Sequence, residues 1–90
     1  MPEFEWDEPK RLSNIRKHDI DFLDARRLSD GRPVFVQQLL RRAEVRLGTT
    51  GEVDGTLVTA IWTIRMNKIR IISVRRARDE ETRHHRQLHG

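Results

Sequence analysis

Arginines at the end of an apolar segment are the residues of this chain best suited to bind a phosphate group. Arg70, Arg75 and Arg76 belong to a stretch rich in β-branched residues, which predicts a strand buried on at least one face. The guanidinium group stays charged, and its planar fork binds phosphate through two hydrogen bonds. A buried strand would hold such cations rigidly where it ends.

The spacing of these arginines limits how many can face one ligand. If the strand stays regular, Arg70 and Arg76 lie on one face and Arg75 on the other. Only one of the adjacent pair can then point into a single groove. The alternative for each arginine is a solvated or ion-paired surface residue.

Histidines are the natural candidates for proton transfer, because the unperturbed pKa of imidazole lies close to neutral pH. The chain has His18, His84, His85 and His89. His18 follows a predicted helix end and is expected to cap its carbonyl groups. His85 and His89 are four residues apart, but no third ligand has a motif-like spacing to them, so no metal or other cofactor is predicted.

The positive charge of the chain is concentrated in its last third. The formal net charge is +4; residues 1–64 hold ten Lys and Arg against eleven acids, and residues 65–90 hold eight against three. The eight cations are Arg65, Lys68, Arg70, Arg75, Arg76, Arg78, Arg83 and Arg86. A localised positive field of this kind is typical of a surface that binds a polyanion, most often nucleic acid.

Length and composition predict one small domain over residues 1–90. A 90-residue chain buries a modest fraction of its surface, and without cysteine it has neither disulfides nor a thiolate metal site. The N-terminus is acidic where a signal peptide is cationic, and no apolar run approaches the roughly 20 residues of a membrane span. We therefore expect a soluble, cytoplasmic protein without a membrane contact.

The pattern of elements predicts a small α+β domain. An N-terminal edge strand and two helices would pack on an antiparallel sheet of three to four strands, followed by a short C-terminal helix. We predict strands over 3–6, 44–47, 56–64 and 69–77, helices over 8–17 and 22–28, an extended or irregular segment over 34–42, and a polar turn over 48–55.

Two segments resemble the BrnT family, the ribonuclease toxins of a type II toxin–antitoxin pair. The first comprises Phe4-Glu5-Trp6-Asp7 with Lys10, Asn14-Ile15-Arg16-Lys17-His18 and Phe22. The second is Ile69-Arg70-Ile71-Ile72-Ser73-Val74-Arg75-Arg76-Ala77 with Glu81 downstream. They cover most of the chain in the family's order and spacing. The resemblance implies a RelE-like fold and endoribonuclease activity.

The chain departs from the family pattern at three places. Asp19 stands where the family usually has glycine, Arg41-Arg42-Ala43 replaces a segment such as Glu-Glu-Arg, and His85 stands where the family's tail often has tyrosine. These differences bear on nuclease activity more than on the fold.

The resemblance implies cleavage of RNA without a metal, with the 2′-hydroxyl group as the nucleophile. Such cleavage needs a base, an acid and cations that stabilise the crowded phosphorane. The candidate catalytic residues are Arg70, Arg75, Arg76, His85 and Glu81, and the candidate RNA-binding residues are Lys17, Lys68 and Arg83. Glu81 could instead pair with Arg83 or Arg78, His85 could be solvated, and Lys17 could merely complement a helix dipole.

The resemblance also implies partners. A cognate antitoxin with a ribbon-helix-helix domain, similar to BrnA, would silence the toxin by covering the arginine groove. The pair would form a 2:2 heterotetramer that reaches operator DNA only through the antitoxin, while the free toxin would inhibit translation and growth. Two alternatives stay open: a catalytically weak or inactive nucleic-acid-binding module, and an assembly domain whose arginines pair with an acidic partner.

Overall fold

A mixed five-stranded sheet forms the centre of the molecule in a computed structural model, which describes residues 3–41 and 44–90. The strands are β1 (Phe4–Glu5), β2 (Val34–Arg41), β3 (Glu44–Val53), β4 (Thr56–Arg65) and β5 (Lys68–Arg76). Their order is β1-β5-β4-β3-β2; β1 runs parallel to β5, and the other neighbours are antiparallel. The expected α+β class and N-terminal edge strand are confirmed, but the sheet has five strands rather than three to four.

Tight turns join the three long central strands. Asp54 and Gly55 connect β3 to β4 with φ angles of 50° and 82°, and Met66 and Asn67 connect β4 to β5 with φ angles of 52° and 65°. Two successive left-handed residues match the right-handed twist of the flanking strands. The β3–β4 turn therefore needs only two residues.

The predicted polar turn over 48–55 is wrong for most of its length, because β3 continues to Val53. Its glycines lie inside a strand for steric reasons. A Cβ atom on Gly51 would lie 2.8 Å from Leu28 Cδ2, and one on Gly48 would lie 3.2 Å from Leu39 Cδ1. Glycine here permits close packing of neighbouring elements rather than a reversal of the chain.

The segment over 34–42 was expected to be extended or irregular, and it forms strand β2 up to Arg41. Its helix-favouring residues pair in register with β3, from Val34 opposite Gly51 to Arg41 opposite Glu44. Pairing along a whole strand outweighs the weak intrinsic preference of a short polar segment. Arg42 and Ala43 lie outside the described residues.

Helices from the first third of the chain cover one face of the sheet. They are α1 (Glu8–His18), α2 (Phe22–Ala25) and a 3-10 turn (Arg26–Ser29). The first helix was predicted correctly, whereas the predicted helix over 22–28 divides into α2 and the 3-10 turn. Asp21 caps α2, its carboxylate accepting the Leu23 amide at 3.0 Å.

The hydrophobic core lies between these helices and the sheet. It comprises Phe22, Ala25, Leu28, Val53, Val58, Ala60, Ile71 and Val74. Trp62 and Trp6 pack against this cluster from its margin. Within the described ranges, no helix is long and apolar enough to cross a membrane.

The C-terminal helix α3 (Asp79–His89) lies against the opposite face of the sheet. Its His84 ring stacks on Phe35 of β2 with centroids 5.0 Å apart, and Glu81 reaches Thr59 of β4. This helix confirms the predicted one. It covers only part of the face, so a cleft remains beside its first turn.

Candidate functional site

A buried ion pair joins the end of β5 to the first turn of α3. Glu81 Oε1 accepts a hydrogen bond from Arg75 Nη1 at 2.7 Å, and Oε2 accepts one from Nη2 at 2.9 Å. The Glu81 and Arg75 side chains are 6% and 17% exposed. This two-point contact fixes the plane of the guanidinium group.

Other donors complete the surroundings of the Glu81 carboxylate. Oε1 accepts the Arg78 backbone N–H at 2.8 Å and the Thr59 hydroxyl at 3.0 Å, and Oε2 accepts the Gln37 amide at 3.3 Å. Because the Thr59 hydroxyl donates to Glu81, it accepts from the Thr50 hydroxyl, 2.7 Å away. Strands β2, β3, β4 and β5 thus all contribute to holding one carboxylate.

These donors keep Glu81 ionised. Burial by itself would raise the pKa of Glu81, but the hydrogen bonds from Arg75 and the Arg78 N–H, with the charge of Arg75, lower it to about 2. A carboxylate with so low a pKa is a poor proton acceptor near neutral pH. Glu81 is therefore arranged as the anion that holds Arg75 and the first turn of α3. Its ion-pair partner is Arg75, rather than the Arg83 or Arg78 that the sequence suggested.

A β-bulge decides which arginines share a face. Trp62 is opposite Ile71 and Ile61 is opposite Ser73, so Ile72 is an extra residue in β5. Since Arg70 is opposite Thr63 and Arg75 opposite Thr59, these two arginines lie on the same face of the sheet.

Arg76 is opposite Val58 and therefore lies on the other face of the sheet, the one that α1 and α2 cover. The regular-strand expectation, which grouped Arg70 with Arg76, is wrong because the strand is not regular.

A cleft of about 690 Å³ opens beside the Arg75–Glu81 pair. Its charged and polar lining is His18, Gln37, Arg46, Ser73, Arg75, Arg78, Glu80 and Glu81, and its apolar lining is Leu39, Leu40, Ile61 and Ile72. The cleft thus combines three arginines with one histidine; Arg75 is paired with Glu81, and Arg46 is paired with Glu44 at 3.1 Å. That combination can bind a phosphodiester and move a proton beside it.

His18 comes to this cleft from the last turn of α1. It was expected to cap the helix carbonyls, yet that position is filled by the Asp19 backbone N–H, which donates to Ile15 O at 2.8 Å. Asp19 has a φ of 57°, the left-handed conformation that favours glycine. The imidazole of His18 is therefore available to the cleft.

His85 lies elsewhere. It lines a separate cavity of about 720 Å³ together with Arg86 and His89, at the other end of α3. Its Nε2 lies 3.3 Å from Pro33 O, and His89 Nε2 lies 2.8 Å from Val34 O. The structure therefore does not bring His85 to Arg75.

The other predicted site residues are also dispersed. Lys68 pairs with Glu3 at 3.5 Å and Arg70 with Glu5 at 3.6 Å, both beside β1. Arg83 lies on the outer side of α3, and Lys17 is exposed beside His18. Of the predicted catalytic residues, only Arg75 and Glu81 line the cleft.

Sequence reasoning missed several cleft residues. Arg46, Arg78 and Gln37 line the cleft and come from different elements, and no motif links them; buried Thr59, which holds Glu81 from beneath the cleft, was missed as well. Arg46 and Thr59 lie on the face opposite the core, but only the strand register identifies that face. Within residues 3–41 and 44–90, no group of three or more His, Asp or Glu side chains could hold a metal ion.

Comparison with known proteins assigns the chain to a family. No curated protein gave a significant match. The family model described as the ribonuclease toxin BrnT of type II toxin–antitoxin systems matches residues 6–81, a span that includes α1, the whole sheet except β1, and Glu81. This protein belongs to the BrnT family of ribonuclease toxins, which work with a protein antitoxin.

Proposed function

We propose that this protein is an endoribonuclease that cleaves RNA in the cleft beside Arg75, with His18 transferring the proton and no metal ion taking part. Cleavage of cytoplasmic RNA would inhibit translation and growth. The observation that carries the proposal is the convergence of His18, Arg46, Arg75 and Arg78 on one cleft. Membership of a ribonuclease toxin family supports the choice of substrate.

The chemistry follows from the groups in the cleft. His18 in its neutral form accepts the proton of the 2′-hydroxyl group while O2′ attacks phosphorus. As the bond from phosphorus to O5′ breaks, the imidazolium returns a proton to O5′, leaving a 2′,3′-cyclic phosphate and a 5′-hydroxyl end. Arg46 and Arg78, with Arg75, stabilise the charge that develops on the phosphorane.

The antitoxin would silence the enzyme by covering this cleft. We propose a ribbon-helix-helix partner similar to BrnA in a 2:2 complex that contacts operator DNA through the antitoxin, together with the RelE-like fold that the resemblance implies. Exposed apolar side chains support the presence of a protein partner. Val36, Leu40 and Val45 are 48%, 77% and 45% exposed and share the face of the β2–β3 hairpin opposite to the one that carries Arg46, so a partner that covers both them and the cleft would wrap around the free edge of β2.

A second candidate function is a nucleic-acid-binding module that has lost cleavage. The observation that favours it is the position of His85, which stands where the family often has tyrosine and lies away from Arg75. If proton transfer in this family depends on that tail position, the chain would bind RNA and not cut it.

Inducible expression in a bacterium separates the two candidates. We expect wild-type protein to arrest growth and fragment total RNA, and Arg75→Ala at equal protein level to do neither. Arg83→Ala, which removes an arginine from the outer side of α3, is the matched control and should stay toxic. Normal growth with intact RNA from well-expressed wild type would contradict cleavage and leave the binding module.

A further inference from the structure

Asn14 is a buried polar side chain in the middle of a helix, and it needs an explanation beyond α1 itself. Only 6% of the residue is exposed. Asparagine is a mediocre helix former, and its buried amide costs free energy unless each polar atom finds a partner. Both polar atoms of Asn14 do find partners, and all of these lie outside α1.

The Asn14 amide pairs with β5 as a neighbouring strand would. Its Nδ2 donates to Val74 O at 2.7 Å, and its Oδ1 accepts the Val74 N–H at 3.3 Å. Strand β1 pairs only with Ile69 and Arg70, so it ends before this part of the β5 edge. One side chain therefore satisfies both backbone groups of Val74 where the sheet has no further strand.

The same amide also holds the chain beyond the helix. Nδ2 donates to Ile20 O at 2.9 Å, and Ser73 Oγ donates to Oδ1 at 3.4 Å. Val74 immediately precedes Arg75, and Ile20 lies two residues after His18. Asn14 and His18 are four residues apart in α1, so their side chains lie one turn apart on one side of the helix.

We infer that Asn14 is a positioning residue that holds His18 at the correct distance from Arg75 for RNA cleavage. This role rests on the function proposed above. Without the amide, α1 can slide or tilt along β5, while the arginines, which other elements hold, stay in place. Loss of Asn14 should therefore reduce the rate of the chemical step and spare the binding of RNA.

The test compares two Asn14 variants with two controls. Asn14→Asp keeps the shape but removes both donors and places a carboxylate against the carbonyls of Val74 and Ile20; Asn14→Ser is the milder change if the first does not fold. Asn67→Asp makes the same chemical change in the exposed β4–β5 turn. Val53→Ala weakens the core without touching the cleft, and so controls for lost stability.

Steady-state cleavage of a short RNA is measured at a temperature at which each variant is folded by circular dichroism. We expect kcat to fall about 10- to 100-fold in the Asn14 variants, with KM changed less than about twofold. Asn67→Asp and Val53→Ala should keep the wild-type kcat.

Suppose that an Asn14 variant and Val53→Ala lose the same amount of melting temperature and have the same kcat. Asn14 would then contribute only to stability, which would overturn this inference and leave the proposed function standing. Wild-type protein that binds the RNA but leaves it intact would overturn the proposed function, and this role of Asn14 with it.

Discussion

The carboxylate of Glu81 holds the guanidinium group of Arg75 through two hydrogen bonds of 2.7 and 2.9 Å, and it also accepts the backbone N–H of Arg78. One ionised group therefore fixes the first turn of α3 and the orientation of a cleft cation together. Two of its five donor contacts come from Arg75 of β5 and one from Thr59 of β4, while the Arg78 N–H belongs to the residue that precedes α3. Docking of the helix and geometry of the cleft are thus coupled.

Acid should weaken the fold through Glu81. Its pKa is about 2 in the folded protein against an ordinary value of 4.5, so the folded state favours the ionised form. The resulting stabilisation is fully present above about pH 4.5 and is lost as the pH falls toward 2. Chemical denaturation of wild type and Glu81→Gln should therefore differ by about 2–3 kcal/mol at pH 7 and converge at low pH. A constant difference at every pH would show that the charge of Glu81 contributes nothing.

Arg75→Lys should separate charge from geometry. Lysine keeps the positive charge but cannot make the two-point contact with Glu81, so the cation loses its fixed direction. We expect cleavage of a short RNA to fall about 100-fold while the Kd for RNA changes only a few fold. Full activity in Arg75→Lys would contradict a role for the fixed guanidinium plane. Arg76→Lys, on the opposite face of the sheet, is the matched control.

Thr59→Val should destabilise the protein although the two side chains have nearly the same shape. Thr59 is fully buried and its hydroxyl links Thr50 to Glu81, so valine leaves the buried Thr50 hydroxyl without a partner and removes one of the donors to Glu81. The expected loss is about 1–3 kcal/mol in the free energy of unfolding, measured by urea titration. Thr63 lies four residues further along β4, and its exposed hydroxyl donates to the Val45 carbonyl. Thr63→Val should cost less than half of this. Equal effects would show that the hydroxyl network adds nothing beyond an ordinary hydrogen bond.

Asp19→Gly should stabilise the protein. Asp19 has a φ of 57° at the end of α1, where glycine adopts the left-handed conformation without steric cost. We expect a gain of about 0.5–1 kcal/mol, seen as a higher melting temperature, and no gain from Asp19→Ala. An unchanged or lower melting temperature in Asp19→Gly would mean that the aspartate side chain contributes more than the backbone strain costs.

Local sequence signals predicted much of the fold. The proline and the acidic residue in the first turn of α1, the β-branched run of β4 and the charged run of α3 are local signals that agree with the observed elements, because in each case intrinsic preference and packing agree. They disagree in β2 and β3. Polar residues and glycines there reflect long-range pairing, the contact of Gly51 with Leu28 and the contact of Gly48 with Leu39.

The site was harder to predict than the fold. Arg75 and Glu81 were identified, but the run Ile71-Ile72 gives no sign that β5 contains a bulge, and the bulge decides which arginines share a face. His18 was assigned a structural role because its position after a helix suggested a cap. That it lines the cleft follows from the docking of α1 on β5 through Asn14, which no local pattern reveals.

Cleavage of a defined RNA by purified His18→Gln and His85→Gln, beside wild type, tests the central claim most directly. We predict that His18→Gln loses at least about 100-fold in rate, that His85→Gln stays within a few fold of wild type, and that the products carry 2′,3′-cyclic phosphate ends. Retained cleavage in His18→Gln together with loss in His85→Gln would contradict the account, because proton transfer would then take place outside the cleft that holds Arg75.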